Sequence, residues 1–124
     1  MSTDTMKIGV CGVGTVGMAT LNILREQADS IASRAGQSLS VIHIGARTQY
    51  SEHDYGAAQV SQDVMDVARD PEVDILVELI GGTGVAYDLI KLAIAEGKHV
   101  VTANKALIAE HGNELIALAE SEGV

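Results

Sequence analysis

The chain has 124 residues, 47% of them hydrophobic, which suits one domain with a substantial buried core. Trp and Phe are absent and only three Tyr occur, so that core has to be aliphatic and rich in alanine. The net charge of −9 argues against nucleic-acid or anionic-membrane partners. The first predicted element is a short apolar strand ending at Cys11, carrying Ile8 and Val10. Cys11 is the single cysteine, so no internal disulfide is possible, and a reducing, cytoplasmic setting is expected. At the end of a strand it reads as a small buried hydrophobe. Glycines at 12, 14 and 17 follow, in the G-x-G-x-x-G spacing of a dinucleotide-binding turn between strand and helix. Gly12 would allow the tight turn, Gly14 a close approach of pyrophosphate, and Gly17 close packing of helix on strand. The helix N-terminus would then face the anion.

The helix is predicted from Thr15 to Arg34, with Val16, Leu21, Ile23, Leu24, Ala28 and Ile31 on its apolar face and Gly36 beyond its end. Leu39 to Gly45 reads as the second strand, and Arg47 to Gln59 as polar and irregular. A short helix from Ser61 to Arg69, capped by Ser61, ends at Asp70-Pro71. Val73 to Ile80 is a nearly continuous apolar run of the kind buried in parallel sheets. Gly81-Gly82-Thr83-Gly84 turns into a helix from Val85 to Glu96, ended by Gly97. His99 to Thr102 is a further strand, and helices over Lys105 to Glu110 and Glu114 to Glu120 complete the chain. Alternation of this kind predicts an α/β fold, a Rossmann-type doubly wound parallel sheet with helices on both faces. No apolar run approaches the roughly 20 residues of a membrane span, and the N-terminus has no signal-peptide pattern.

Ligands of such sheets lie beyond the carboxyl ends of the strands. After the second strand no acidic residue occurs between His43 and Ser51 to hold ribose hydroxyls, and Arg47 stands there instead. A cation at that point favours a 2′-phosphate, hence NADP, with NAD also possible; the alternative is an exposed loop arginine. After the third strand, Gly81 and Gly82 would let a flat ring approach the backbone. Glu78, a charge in an apolar strand, has either a structural partner or a ligand role. After the last strand, Asn104 reads as a helix N-cap. Lys105 is a cation at the unfavourable end of a helix dipole, either solvent-exposed or functional. His43, His53, His99 and His111 show no metal-ligand spacing, and no metal is assigned.

Three stretches together resemble the N-terminal part of homoserine dehydrogenase: Gly12-Val13-Gly14-Thr15-Val16-Gly17, Val77 to Gly82, and Gly97 to Leu107 with its Thr102-Ala103-Asn104-Lys105. The likeness extends over essentially the whole chain, and the last stretch is its most specific part. The resemblance implies reversible nicotinamide-dependent interconversion of aspartate semialdehyde and homoserine, on the path to threonine, methionine and isoleucine. It implies that Val13, Thr15 and Val16 line the cofactor, that Arg47 lies near its adenosine end, and that Thr102, Ala103 and Asn104 lie by the nicotinamide. Lys105 matches a family lysine proposed to take part in proton transfer. Family members continue into a substrate and dimerisation domain with a second catalytic lysine, acidic homoserine-binding residues and a monovalent-cation site. The chain is therefore expected to be the nucleotide-binding half, able to bind NADP(H) but not to turn over homoserine, and homodimeric at full length. The glycine turn alone also allows a stand-alone NAD(P)-binding regulatory module. A lysine at the nicotinamide end weighs against that alternative.

Overall fold

The computed structural model describes residues 5–12, 22, 38–46, 58–102 and 104–124. Within them the sheet has five strands: β1 (Thr5–Cys11), β2 (Ser38–Gly45), β3 (Gln59–Ser61), β4 (Ile75–Glu78) and β5 (His99–Thr102). Their spatial order is β3-β2-β1-β4-β5, and every pair is parallel. The chain moves outward from β1 in one direction, then crosses back to β4 and moves outward in the other. This is the Rossmann arrangement, and its switch point lies between the carboxyl ends of β1 and β4. Three helices are described: α1 (Met65–Arg69), α2 (Val85–Ala95) and α3 (Lys105–Glu122). The predicted first helix falls outside the described residues except for Asn22, which is helical.

Strand alternation sorts the core into two faces. Ile8, Val10, Ile44 and Ala46 form one buried cluster, with Ile75 and Val77 of β4 packed against it. The other face carries Cys11 and Leu76, covered by Val67 and Ala68 of α1 and by Leu89 and Ala93 of α2. Helix α1 sits very close to β1. A Cβ on Gly9 would come within 2.3 Å of Val67 Cγ1, so the strand can carry no side chain there. Helix α3 packs on α2 through Ile90 and Ile94 against Leu107 and Leu115.

Three sequence expectations are corrected. Ser61 is the last residue of β3, paired with Gly45, and does not cap α1. The N-cap position is Val64, and the Oδ1 of Asp63 just before it accepts from the Met65 N–H at 2.9 Å. The two terminal helices are one, running through Gly112, which is buried where the neighbouring Ile108 side chain leaves little room for a Cβ. The Val73–Ile80 strand is confined to Ile75–Glu78.

A buried polar cluster links β2, β3 and the segments that precede β4 and β5. His43 is buried, with Nδ1 2.8 Å from Asp70 Oδ2 and Nε2 2.8 Å from Ser61 Oγ. Lys98 is also buried and donates to the carbonyls of Asp70 at 2.6 Å and Val73 at 3.0 Å. Burial pushes the Asp70 carboxyl up. The Glu72 N–H, the hydrogen bond to His43 and the charges of His43 and Lys98 outweigh it, so the group sits below the usual carboxylate range. Asp70 and Lys98 precede β4 and β5, so this cluster holds the amino-terminal ends of those strands. The carboxyl ends are held by other residues.

Candidate active site

Strand register aligns one row of residues across the carboxyl ends of the sheet: Ser61, Gly45, Cys11, Glu78 and Thr102. The row crosses the switch point between Cys11 and Glu78, where β1 passes into Gly12. The Gly12 N–H donates to the Gly45 carbonyl at 2.9 Å, and Leu79 N–H donates to the Cys11 carbonyl at 2.9 Å. Gly12 has φ +93°, and a Cβ there would lie 2.9 Å from Ile80 N and from the Leu79 carbonyl carbon. Both the backbone angle and the space therefore require glycine.

Glu78 organises the other side of the crevice. It is 1% exposed. Its Oε2 accepts from the N–H groups of Ile80 at 2.8 Å and Gly81 at 2.9 Å, and its Oε1 accepts from the Thr102 hydroxyl at 2.5 Å. A buried carboxylate needs such donors, because a lost hydrogen bond to it leaves a desolvated charge. The sequence left Glu78 open between a structural partner and a ligand role; here it has three partners. Thr102 Oγ1 in turn accepts from the Asn104 N–H at 3.0 Å. Asn104 Oδ1 caps α3 by accepting from Leu107 N–H at 3.1 Å, and its Nδ2 donates to the Gly82 carbonyl at 2.6 Å. The strand ends of β4 and β5 are thus locked together by Glu78, Thr102, Asn104 and the Gly81–Gly82 turn. Gly81 and Gly82 have φ of +83° and +73°, and a Cβ on either would meet no atom within 4 Å among the described residues.

Lys105 is the first residue of α3 and is exposed. It lies beside the locked array, and among the described residues no carboxylate pairs with it. Val13, Gly14, Thr15, Val16, Gly17, Arg47 and Ala103 lie outside the described residues. Gly12, Gly81, Gly82, Thr102, Asn104 and Lys105 all stand at the carboxyl edge of β1, β4 and β5.

Cys11 is buried beside this array, with Sγ 3.9 Å from the Val64 carbonyl. Burial, and then the charge of Glu78, push its thiol up to about 12. Alkylation of the native chain by iodoacetamide at pH 8 is expected to be about a thousandfold slower than that of an exposed thiol, from the lost thiolate alone. Labelling at a rate within tenfold of that of the unfolded chain would contradict this.

Residues 12–124 match the family model described as homoserine dehydrogenase, NAD binding domain. The chain belongs to this family. It is 52% identical over 119 residues to the homoserine dehydrogenase of Pseudomonas aeruginosa, covering 96% of this chain and 27% of that protein. It is 41% identical over 123 residues to that of Neisseria gonorrhoeae, covering 28% of it. The crystal structure of a homoserine dehydrogenase from Thiobacillus denitrificans superposes with a TM-score of 0.91 at 45% identity, covering 98% of this chain and 28% of that one. The chain thus spans little more than a quarter of the length of these homoserine dehydrogenases.

An NAD-binding domain of this fold holds a dinucleotide across the switch point. The described residues fit such a group: a glycine-only turn at Gly12, and across from it the bare backbone of Gly81 and Gly82, crowded by no other described residue. Sequence reading found Asn104 and the glycines from local rules. It did not single out Lys98, which looks like an ordinary surface lysine after a helix-ending glycine.

Proposed function

We propose that this chain is the cofactor-binding part of a homoserine dehydrogenase, which interconverts L-homoserine and L-aspartate 4-semialdehyde on the route to threonine, methionine and isoleucine. The observation that carries the reading is the array of Glu78, Thr102, Asn104 and Gly82 at the switch-point crevice, in a chain of that family. In this reading Gly12, Val13, Gly14, Thr15, Val16 and Gly17 hold the pyrophosphate, with backbone N–H groups as donors. Arg47 meets a 2′-phosphate, which makes NADP the preferred cofactor. Gly81, Gly82, Thr102, Ala103 and Asn104 border the nicotinamide, and Lys105 exchanges a proton with the substrate oxygen.

The bound cofactor supplies the hydride. This chain orients it: the cap on α3 fixes Asn104, and the bond from Asn104 to Gly82 fixes the opposite wall. Substrate binding and a second proton-transfer group are assigned to residues beyond these 124, as is the dimer contact of the longer, cytoplasmic protein. The 124 residues alone are then a cofactor-binding unit without turnover, since hydride transfer needs the aldehyde carbon and a proton donor held together.

Thermal-shift titration tests this. NADPH at 100 times its Kd is expected to stabilise the chain by about 2.7 kcal/mol, and coenzyme A is expected to give no shift. An Arg47→Ala variant is expected to lose about tenfold in NADP affinity with NAD affinity unchanged. An unchanged NADP to NAD ratio would remove the argument for NADP. Homoserine oxidation by the purified chain would remove the argument for a second half.

A further inference from the structure

We propose that Glu78 sets which redox form of the nicotinamide this site prefers, acting as a buried anion beneath the crevice that favours the cationic, oxidised ring over the neutral, reduced one. The inference rests on the functional reading above and deepens it: it names a residue that touches no substrate in that reading and acts through charge.

Three observations carry it. Glu78 is almost fully buried, at the carboxyl end of the strand that forms one side of the switch point. Its three hydrogen bonds come from neutral donors, Ile80 N–H, Gly81 N–H and the Thr102 hydroxyl, and among the described residues no Lys, Arg or His forms an ion pair with it. Its hydrogen-bonding partners are the groups that border the crevice, so the charge lies one layer beneath the surface that would meet the ring. A charge held in a low-dielectric wall acts on its surroundings over several ångströms.

A carboxylate used only as a structural clamp would look similar but behave differently. Loss of a clamp loosens the Gly81–Asn104 wall and weakens both redox forms alike. Loss of a charge weakens the cationic form and spares the neutral one. The ratio of the two dissociation constants separates these roles.

The experiment is calorimetric titration of the chain with NADP+ and with NADPH, repeated with NAD+ and NADH, for the wild type and three variants. Glu78→Gln keeps the shape of the side chain. Its Oε1 can accept the two backbone N–H bonds, and its Nε2 can donate to Thr102 Oγ1. It is expected to raise the ratio of oxidised to reduced Kd about three- to tenfold. Glu78→Asp and Thr102→Val both keep the charge and are expected to leave the ratio within about twofold of wild type, whatever happens to overall affinity. An unchanged ratio in Glu78→Gln, or an equal loss of both forms, would overturn the proposal. The wild type gives a readout independent of any variant: it is expected to bind the oxidised form at least as tightly as the reduced one, and a tenfold preference for the reduced form would overturn the proposal. Wild type that binds neither form would overturn the functional reading and this proposal with it; binding with the wrong ratio would overturn this proposal alone.

Discussion

Gly12→Ala is expected to lower the stability of the chain by about 2–5 kcal/mol and to remove cofactor binding at any accessible concentration. The estimate has two parts. A φ of +93° costs a residue with a Cβ roughly 1–2 kcal/mol. The Cβ would also stand 2.9 Å from Ile80 N and the Leu79 carbonyl carbon, and relieving such overpacking costs about 1–3 kcal/mol. The clash cannot be relieved by a rotamer change, because the opposing atoms are backbone. That backbone is pinned by the bond from Leu79 N–H to the Cys11 carbonyl, and by Glu78 through the Ile80 N–H. Any movement therefore opens β1 from β4 at the switch point. Against a total stability of about 5–15 kcal/mol the loss is large. Thermal melting should show a drop on the order of 10 °C or more. Gly81→Ala is the control: its φ of +83° carries strain, but no atom of the described residues lies within 4 Å of the added carbon, so its loss should stay near the strain alone. Equal melting temperatures for the two variants would show that the contact with the Leu79–Ile80 backbone contributes nothing.

The sequence was most informative where one local rule decided an element. The apolar run from Val73 to Ile80, which holds the shorter strand Ile75–Glu78, and the glycine and asparagine signals around α2 and α3 are of this kind, and Asn104 caps α3 as its position suggested. Where two rules competed, the tertiary one won. Ser61 has the chemistry of an N-cap, yet it pairs with Gly45, because an edge strand of three residues is too short to show a period of its own. Gly112 lowers helix propensity by roughly 1 kcal/mol, yet α3 continues through it because the flanking turns pack on α2 through Leu107 and Leu115. The site was legible as a set of strand ends but not as an array. The bond from Thr102 to Glu78 depends on the register that places these residues side by side, and no local pattern encodes that register. The same holds for Lys98, whose carbonyl partners Asp70 and Val73 lie 28 and 25 positions away in the chain.

Lys105 gives the second large expectation, and it concerns chemistry rather than folding. In a homoserine dehydrogenase that carries this domain, Lys105→Ala is expected to lower kcat by about 10²–10⁴-fold, the range for loss of a positioned proton-transfer group. Stability should hardly move. The side chain is exposed, and a cation in the first turn of α3 opposes the helix dipole, so its removal is neutral or slightly stabilising, by a few tenths of a kcal/mol. Cofactor affinity should stay within about threefold, because Asn104 and Thr102 keep their hydrogen bonds to Gly82 and Glu78 without it. What the site would lose is an exposed cation whose backbone is set, at the first turn of α3, by the Asn104 cap. Lys105→Arg restores the positive charge but not the proton exchange, since a guanidinium does not give up its proton in the accessible pH range, so it should not restore kcat. Steady-state kinetics with melting curves on the same preparations decide the matter. A Lys105→Ala enzyme with kcat within threefold of wild type, or an Arg variant that restores it fully, would reduce Lys105 to a surface cation and leave proton transfer to residues elsewhere.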